Sequence, residues 1–177
     1  MRENLILLMP ECELIKDSVL REKTIVVWED AVREGSWTLE DLKEMPFTLL
    51  LEQTSINLID HTRAVTLCSL HIAEVMEEVY DGRIPINKDY LLSGSILHDV
   101  GKLFEYTREG KKFVKSRSGN LLRHPISGAA FASKHDMPEE ILHIIAAHSR
   151  EGDGARRTVE AVIVNHADFV NFESLKI

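Results

Sequence analysis

The sequence predicts an all-α helical bundle with one short β-hairpin inserted and a helical flank at the N-terminus. Three observations carry this. Apolar residues recur at helical spacing, as in Leu58, His61, Val65, Cys68, Ile72, Val75 and Val79. Helix punctuation is well marked: Thr38-Leu39-Glu40-Asp41, Pro125 and Pro138-Glu139-Glu140 open helices, whereas Gly35 and Asp81-Gly82 close them. Hairpin signals occur once, with Phe104-Glu105-Tyr106 and Lys112-Phe113-Val114 on either side of Glu109-Gly110.

In chain order, the first helix is expected over 16–34, with Val19, Leu20, Val26, Val27 and Trp28 as apolar contacts. A short one runs from Thr38 to just before Pro46. Residues 1–55 read as a flank that covers the core and carries no chemistry of its own. Helix-mediated formation of a homodimer is the lesser alternative. The main domain is expected over 56–177, with helices over 57–80, 88–102, 125–134, 138–148 and 157–170 and a loop at Gly152-Asp153-Gly154.

The 177 residues suffice for one domain with a sizeable core. The net charge of −8, from 21 Lys+Arg against 29 Asp+Glu, argues against non-specific binding of long nucleic acid or of an anionic membrane. A local basic patch could still hold a small phosphorylated ligand. The two cysteines, Cys12 and Cys68, are too far apart and too few for a disulfide scaffold or a zinc-thiolate site. Met1 to Met9 lacks a signal-peptide layout, and no apolar run is long enough for a membrane span. A cytoplasmic location is the expectation.

His98-Asp99 is the most informative pair. It lies in an apolar run, where an imidazole beside a carboxylate is costly unless both are satisfied. A divalent metal satisfies both. His61, His124, His148 and Asp168 stand one on each of the other expected helices of the main domain. Each alone reads more readily as a core or loop residue, but together with the pair they make a metal site. His71, His135 and His143 fall on polar faces or turns and are expected to be solvated. His166, two residues before Asp168, is expected to pack in the core rather than ligate. Four imidazoles and two carboxylates without a thiolate suit Fe, Mn, Co, Ni or Zn. Six ligands exceed a tetrahedral site, so two divalent transition metal ions bridged by Asp99 use them more naturally.

Asp99 and Lys102 are therefore the expected catalytic residues, Lys102 being placed to neutralise charge on phosphoryl oxygens. Arg63, Lys115, Arg123 and Arg150 are candidate substrate-binding residues for a phosphate. Lys111, Lys112, Lys115 and Arg117 give the hairpin a local positive field.

The order H…HD…H…H…D resembles the HD superfamily of metal-dependent phosphohydrolases. His61-Thr62-Arg63 is similar to its first-helix motif, His98-Asp99-Val100-Gly101-Lys102 to its HD-x-G-K motif, and Asp168 to its closing carboxylate. The resemblance implies an HD domain over 56–177. It also implies one metal on His61, His98, Asp99 and Asp168, and a second on His124, His148 and the other oxygen of Asp99. Gly119-Asn120-Leu121-Leu122-Arg123-His124, Met137-Pro138-Glu139-Glu140 and His166-Ala167-Asp168 look most like the HD domain of bacterial 3′–5′ exoribonucleases. The first 55 residues are too few and too helical for the OB domain of those enzymes. A nucleotide or short oligonucleotide is thus the expected substrate. Phosphodiester or phosphomonoester hydrolysis is the implied reaction. The alternative is a di-iron oxygenase similar to myo-inositol oxygenase, acting on a polyol or phosphonate with the same six ligands. Lys102 and the exonuclease-like flanks favour hydrolysis.

Overall fold

A computed structural model describes residues 1–51 and 54–176. It begins with α1 (Arg2–Leu8), which the sequence reading did not anticipate, and a 3-10 turn over Pro10–Leu14. Next come α2 (Ser18–Glu34) and α3 (Leu39–Glu44). α2 starts at Ser18 because the Asp17 carboxylate accepts from the Val19 and Leu20 amides. Val19 itself is exposed, contrary to the expected apolar face. Thr38 and Asp41 close a reciprocal capping box on α3.

The main bundle comprises α4 (Leu58–Tyr80), α5 (Lys88–Leu97), α6 (Lys102–Glu105), α7 (Arg117–Leu121), α8 (His124–Ser133), α9 (Glu139–Ala147) and α10 (Val159–Glu173). Asn57, Asn87 and Thr158 cap α4, α5 and α10 through their side chains. Beyond Ala73 no residue of α4 is buried, so Val75 and Val79 leave the core although they continue its stripe. α5 is the central helix. Leu91 to Leu97 are all buried, and it packs against α2, α4, α9 and α10. No helix among the described residues is long and apolar enough to cross a membrane.

The expected helix over 88–102 is divided. α5 ends at Leu97, and residues 98–101 form a tight turn before α6. The Val100 amide donates to Leu97 and the Lys102 amide to Asp99, which is three-residue rather than four-residue spacing. A tertiary contact enforces the turn. A Cβ on Gly101 would lie 2.1 Å from the His124 carbonyl oxygen, so only glycine lets α8 approach this closely. The hairpin forms as expected, with β1 (Tyr106–Glu109) paired to β2 (Lys112–Lys115) and Gly110 at φ +61° in the turn. Phe104 and Glu105, read as strand, belong to α6.

The first 45 residues share the core of the bundle: Leu5, Met9, Cys12, Ile15 and Trp28 pack in one cluster with Ile96, Leu97 and Val100. Polar contacts fix the register. Trp28 Nε1 donates to the Ile96 carbonyl at 3.0 Å, Trp37 Nε1 to the Leu103 carbonyl at 2.7 Å, and the Asp89 carboxylate accepts from the Lys16 and Asp17 amides. The backbone that carries the His98-Asp99 turn is thus gripped from the N-terminal side on both of its ends.

Candidate metal centre

Four helices and one turn bring the six sequence-derived candidates to one place. The first turn of α4 supplies His61, the turn after α5 supplies His98 and Asp99, and α8 begins with His124. His148 caps α9, and α10 carries Asp168. Asp99 is at the middle. Its Oδ2 lies 3.5 Å from His61 Nε2 and 3.3 Å from His98 Nε2. Its Oδ1 lies 3.2 Å from His124 Nε2 and 3.7 Å from His148 Nε2. Asp168 Oδ1 meets His61 Nε2 at 2.9 Å. Each oxygen of one buried carboxylate therefore faces two imidazoles.

Hydrogen bonds set the direction of these rings. His98 Nδ1 lies 2.6 Å from the Ser95 carbonyl and His148 Nδ1 2.7 Å from the Ile145 carbonyl. A carbonyl only accepts, so Nδ1 carries the hydrogen and Nε2 of a neutral ring keeps its lone pair. Both of these Nε2 atoms are buried without a hydrogen-bond partner. An orphaned buried acceptor costs about 1–3 kcal/mol, and two beside one carboxylate are what a metal-binding donor set presents. His61, His98 and Asp99 on one side and Asp99, His124 and His148 on the other each place their donor atoms within 4.8 Å of one another, close enough to hold an ion.

Glu105 is a site residue that sequence reading missed. It is 3% exposed, and its Oε2 accepts from both the backbone amide and Nδ1 of His124, each at 2.7 Å. His124 is thereby turned so that Nε2 faces Asp99. The period of the chain around Glu105 gave no signal, because it was read as strand. Asn165 and Arg157 do similar work near His148, donating to the His148 carbonyl and to the Ala147 and Ser149 carbonyls.

Burial opposes ionisation of Asp99, but the Lys102 ammonium, with His98 and His124, holds its carboxyl well below the usual range. Burial likewise opposes ionisation of Asp168, but the His61 hydrogen bond together with His98 and His148 outweighs it, bringing the carboxyl to about 2. Burial pushes His148 down to about 3. Both carboxylates are thus ionised and His148 neutral at neutral pH, the states a metal requires.

The centre forms the floor of a cavity of about 380 Å³. Asp99, Lys102, His124 and Asp168 line it below; Phe47, Thr48, Leu50, Phe169 and Phe172 form a wall; Arg123, Arg150 and Lys176 stand at its edge. Lys102 is buried and donates to Asp99 Oδ2 and to the Phe47 carbonyl. The Phe47 ring stacks on His61, with 4.4 Å between centroids. The segment after α3, to which the sequence assigned no chemistry, is therefore part of the site. Of the four candidate phosphate contacts, Arg123 and Arg150 reach the cavity. Arg63 instead makes a two-oxygen contact with buried Glu11 at 3.0 and 3.1 Å, and Lys115 lies 3.8 Å from Glu105. His71 is exposed as expected and pairs with Glu74. His143 and His135 are half-buried, His143 accepting from the Thr158 amide and His135 lying against the Phe131 ring. His166 is exposed, because its side of α10 faces solvent rather than the core.

Residues 58–171 match the HD domain family. The chain belongs to that family. HD domains bind divalent metals, and all six candidates fall within the matched residues, whereas Phe47, Thr48, Leu50, Phe172 and Lys176 fall outside them. The chain is 32% identical over 165 residues to a dihydroneopterin 2′,3′-cyclic phosphate phosphodiesterase of Methanocaldococcus jannaschii, an alignment covering 88% of this chain and 64% of that relative. It is also 30% identical over 101 residues to ribonuclease Y of Acidothermus cellulolyticus and 37% identical over 76 residues to that of Desulforudis audaxviator. Those alignments cover 57% and 43% of this chain but 17% and 12% of the ribonucleases. The chain thus spans less than two-thirds of the length of these relatives. No solved structure matches it.

Proposed function

We propose that this HD-type phosphohydrolase cleaves a phosphoester of a nucleotide or short oligonucleotide at a centre of two divalent transition metal ions, Fe, Mn, Co, Ni or Zn. The observation that carries the reading is the pair of orphaned atoms, His98 Nε2 and His148 Nε2, on opposite oxygens of Asp99. One ion would be held by His61, His98, Asp99 and Asp168, the other by His124, His148 and Asp99. Such a pair, when bound, orients a water, lowers its pKa and holds the attacking and leaving oxygens of a phosphoryl displacement.

The protein's own groups do the rest. Lys102, already against Asp99, supplies a positive charge where phosphoryl oxygens would gather. Arg123 and Arg150 offer cations to an anion entering at the edge. Phe47 covers His61 and keeps bulk water from that side of the centre. A volume of about 380 Å³ lies at the small end of ligand pockets, which favours a single small ester over a polymer. The named substrate of the Methanocaldococcus jannaschii relative, a small cyclic phosphate, makes 2′,3′-cyclic phosphodiesters the first class to try.

The test is elemental analysis of the purified protein, followed by a panel of cyclic nucleotides, nucleoside monophosphates and short oligonucleotides with Mn, Co or Ni. Two metals per chain and turnover of at least one class are expected. An iron-loaded protein that consumes oxygen with a polyol or phosphonate and cleaves no phosphoester would overturn the reading in favour of the oxygenase.

A further inference from the structure

The phosphoester reading uses the floor of the cavity and leaves its aromatic wall unexplained. Asp168 and Phe172 stand four residues apart on α10 and share one side, about 6 Å apart along the axis, and Lys176 follows in the turn past Glu173 with its Nζ over the Phe172 ring. This segment therefore presents in order a carboxylate of the candidate centre, an aromatic ring and an ammonium. Phe169 stands beside this stripe and also lines the cavity. Phe169 and Phe172 are half-buried, and neither belongs to the hydrophobic core clusters of the described residues. Core packing therefore does not explain them. The Phe47 ring packs against Phe172 in a T-shaped contact, at 6.1 Å and 72°, which steadies the ring. Over the ring, among the described residues, lies the exposed Lys176, its Nζ 4.1 Å from the centroid. A long, flexible lysine is easily displaced, so the face is open to a flat partner.

We infer that Phe172, with Phe169 beside it, is a seat for a planar heteroaromatic ring joined through a short linker to the phosphate held over Asp99. The inference rests on the proposed phosphoester reading for what the ring is attached to. One helical turn separates the ring seat from Asp168, the span of a sugar-sized linker rather than of a long chain. An aromatic face accepts any flat ring without reading its edge, so the seat selects for the presence of a base and only weakly for its identity. Lys176, already at the edge of the cavity, then turns off the ring towards the anion.

Binding tests this without turnover. The probes are the 5′-phosphonates of adenosine and of ribose, which are identical except for the base and have no phosphoester bond to cleave. Calorimetric titration into the metal-loaded protein should show the adenosine compound binding about 10-fold more tightly, the scale of one base stacked on one ring. Phe172→Leu keeps the apolar bulk and should bring the two affinities together, whereas Phe172→Tyr should restore the preference. Equal affinities in the wild type, or a preference that survives Phe172→Leu, would overturn the seat. Should the Leu variant fail to fold, the wild-type comparison and Phe169→Leu decide the matter in the same way. Failure of the phosphoester panel with a base preference intact would remove the proposed reaction and not the ring seat.

Discussion

On the floor of the cavity, three imidazoles are tied down by their outward nitrogens, whereas the phenyl rings of the wall opposite have no hydrogen-bonding atoms and are placed by packing. His98 and His148 donate to carbonyls of their own helices and His124 is gripped by buried Glu105. These floor residues lie inside the stretch that matches the HD family, and Phe47, Leu50 and Phe172 of the wall lie outside it. Precision on the floor suits the metal pair proposed for it: such a pair would need donor atoms fixed to fractions of an ångström, and a hydrogen bond to each of these three rings provides this. A wall that only selects a ring shape needs apolar area in the right place. On the proposed reading, chemistry and selectivity change separately in this fold.

The sharpest way to break the division is Asp99→Ala. It removes the carboxylate that, alone among the described residues, faces both groups of imidazoles, and it should strip most of the metal and abolish turnover. Elemental analysis checks it, and a variant with its full metal complement would show the ligand scheme to be wrong. Lys102→Ala comes next. It should keep metal and fold and lower turnover about 10²-fold, the scale of one lost transition-state charge stabiliser. Unchanged turnover would confine Lys102 to balancing the charge of Asp99.

The same division separates what was legible in the sequence from what was not. The six floor candidates were legible because each is a polar residue on an apolar helix, where burial without a partner is costly, and one stood on each helix. The cap at Thr38 and the hairpin around Gly110 were legible because their signals are local. The turn after Leu97 was not, since it depends on how closely Gly101 approaches α8, a contact 23 residues away in the chain. Glu105 was hidden for a related reason: its partner His124 is 19 residues on, and its own neighbours read as strand. The wall was invisible because Phe47 and Phe172 look like ordinary core phenylalanines until the fold leaves them at a cavity. Arg63, a candidate phosphate contact in the sequence, is a long-range case too: two residues along a helix turn a side chain well away from His61, and its guanidinium reaches Glu11, 52 residues earlier in the chain.

Glu105→Gln probes how strictly the floor is positioned. It removes the charge behind the His124 ring while keeping the side chain's shape, and should weaken metal affinity by about 10- to 100-fold, as outer partners of ligating histidines do. Titration of the metal-free protein with Mn measures this. Undiminished affinity would mean that packing alone orients His124.

The smallest effects come from two arginines that the sequence treated alike. Arg123 lines the cavity, 3.5 Å from Glu105 and 3.6 Å from Glu151, and remains partly exposed. Arg123→Ala should raise KM about 5-fold, in keeping with roughly 1 kcal/mol for an exposed ion contact, and leave the melting temperature within a degree or two. Arg63 braces the N-terminal flank by holding Glu11, which is 5% exposed. Arg63→Ala strands that carboxylate at a cost of about 1–2 kcal/mol, so the melting temperature should fall by about 3–6 °C while KM stays as it was. Calorimetric melting and steady-state kinetics on the same two variants decide between them. If instead Arg63→Ala raises KM and leaves melting unchanged, its guanidinium serves the substrate, and the boundary drawn between the gripped floor and its scaffold lies one helix too far in.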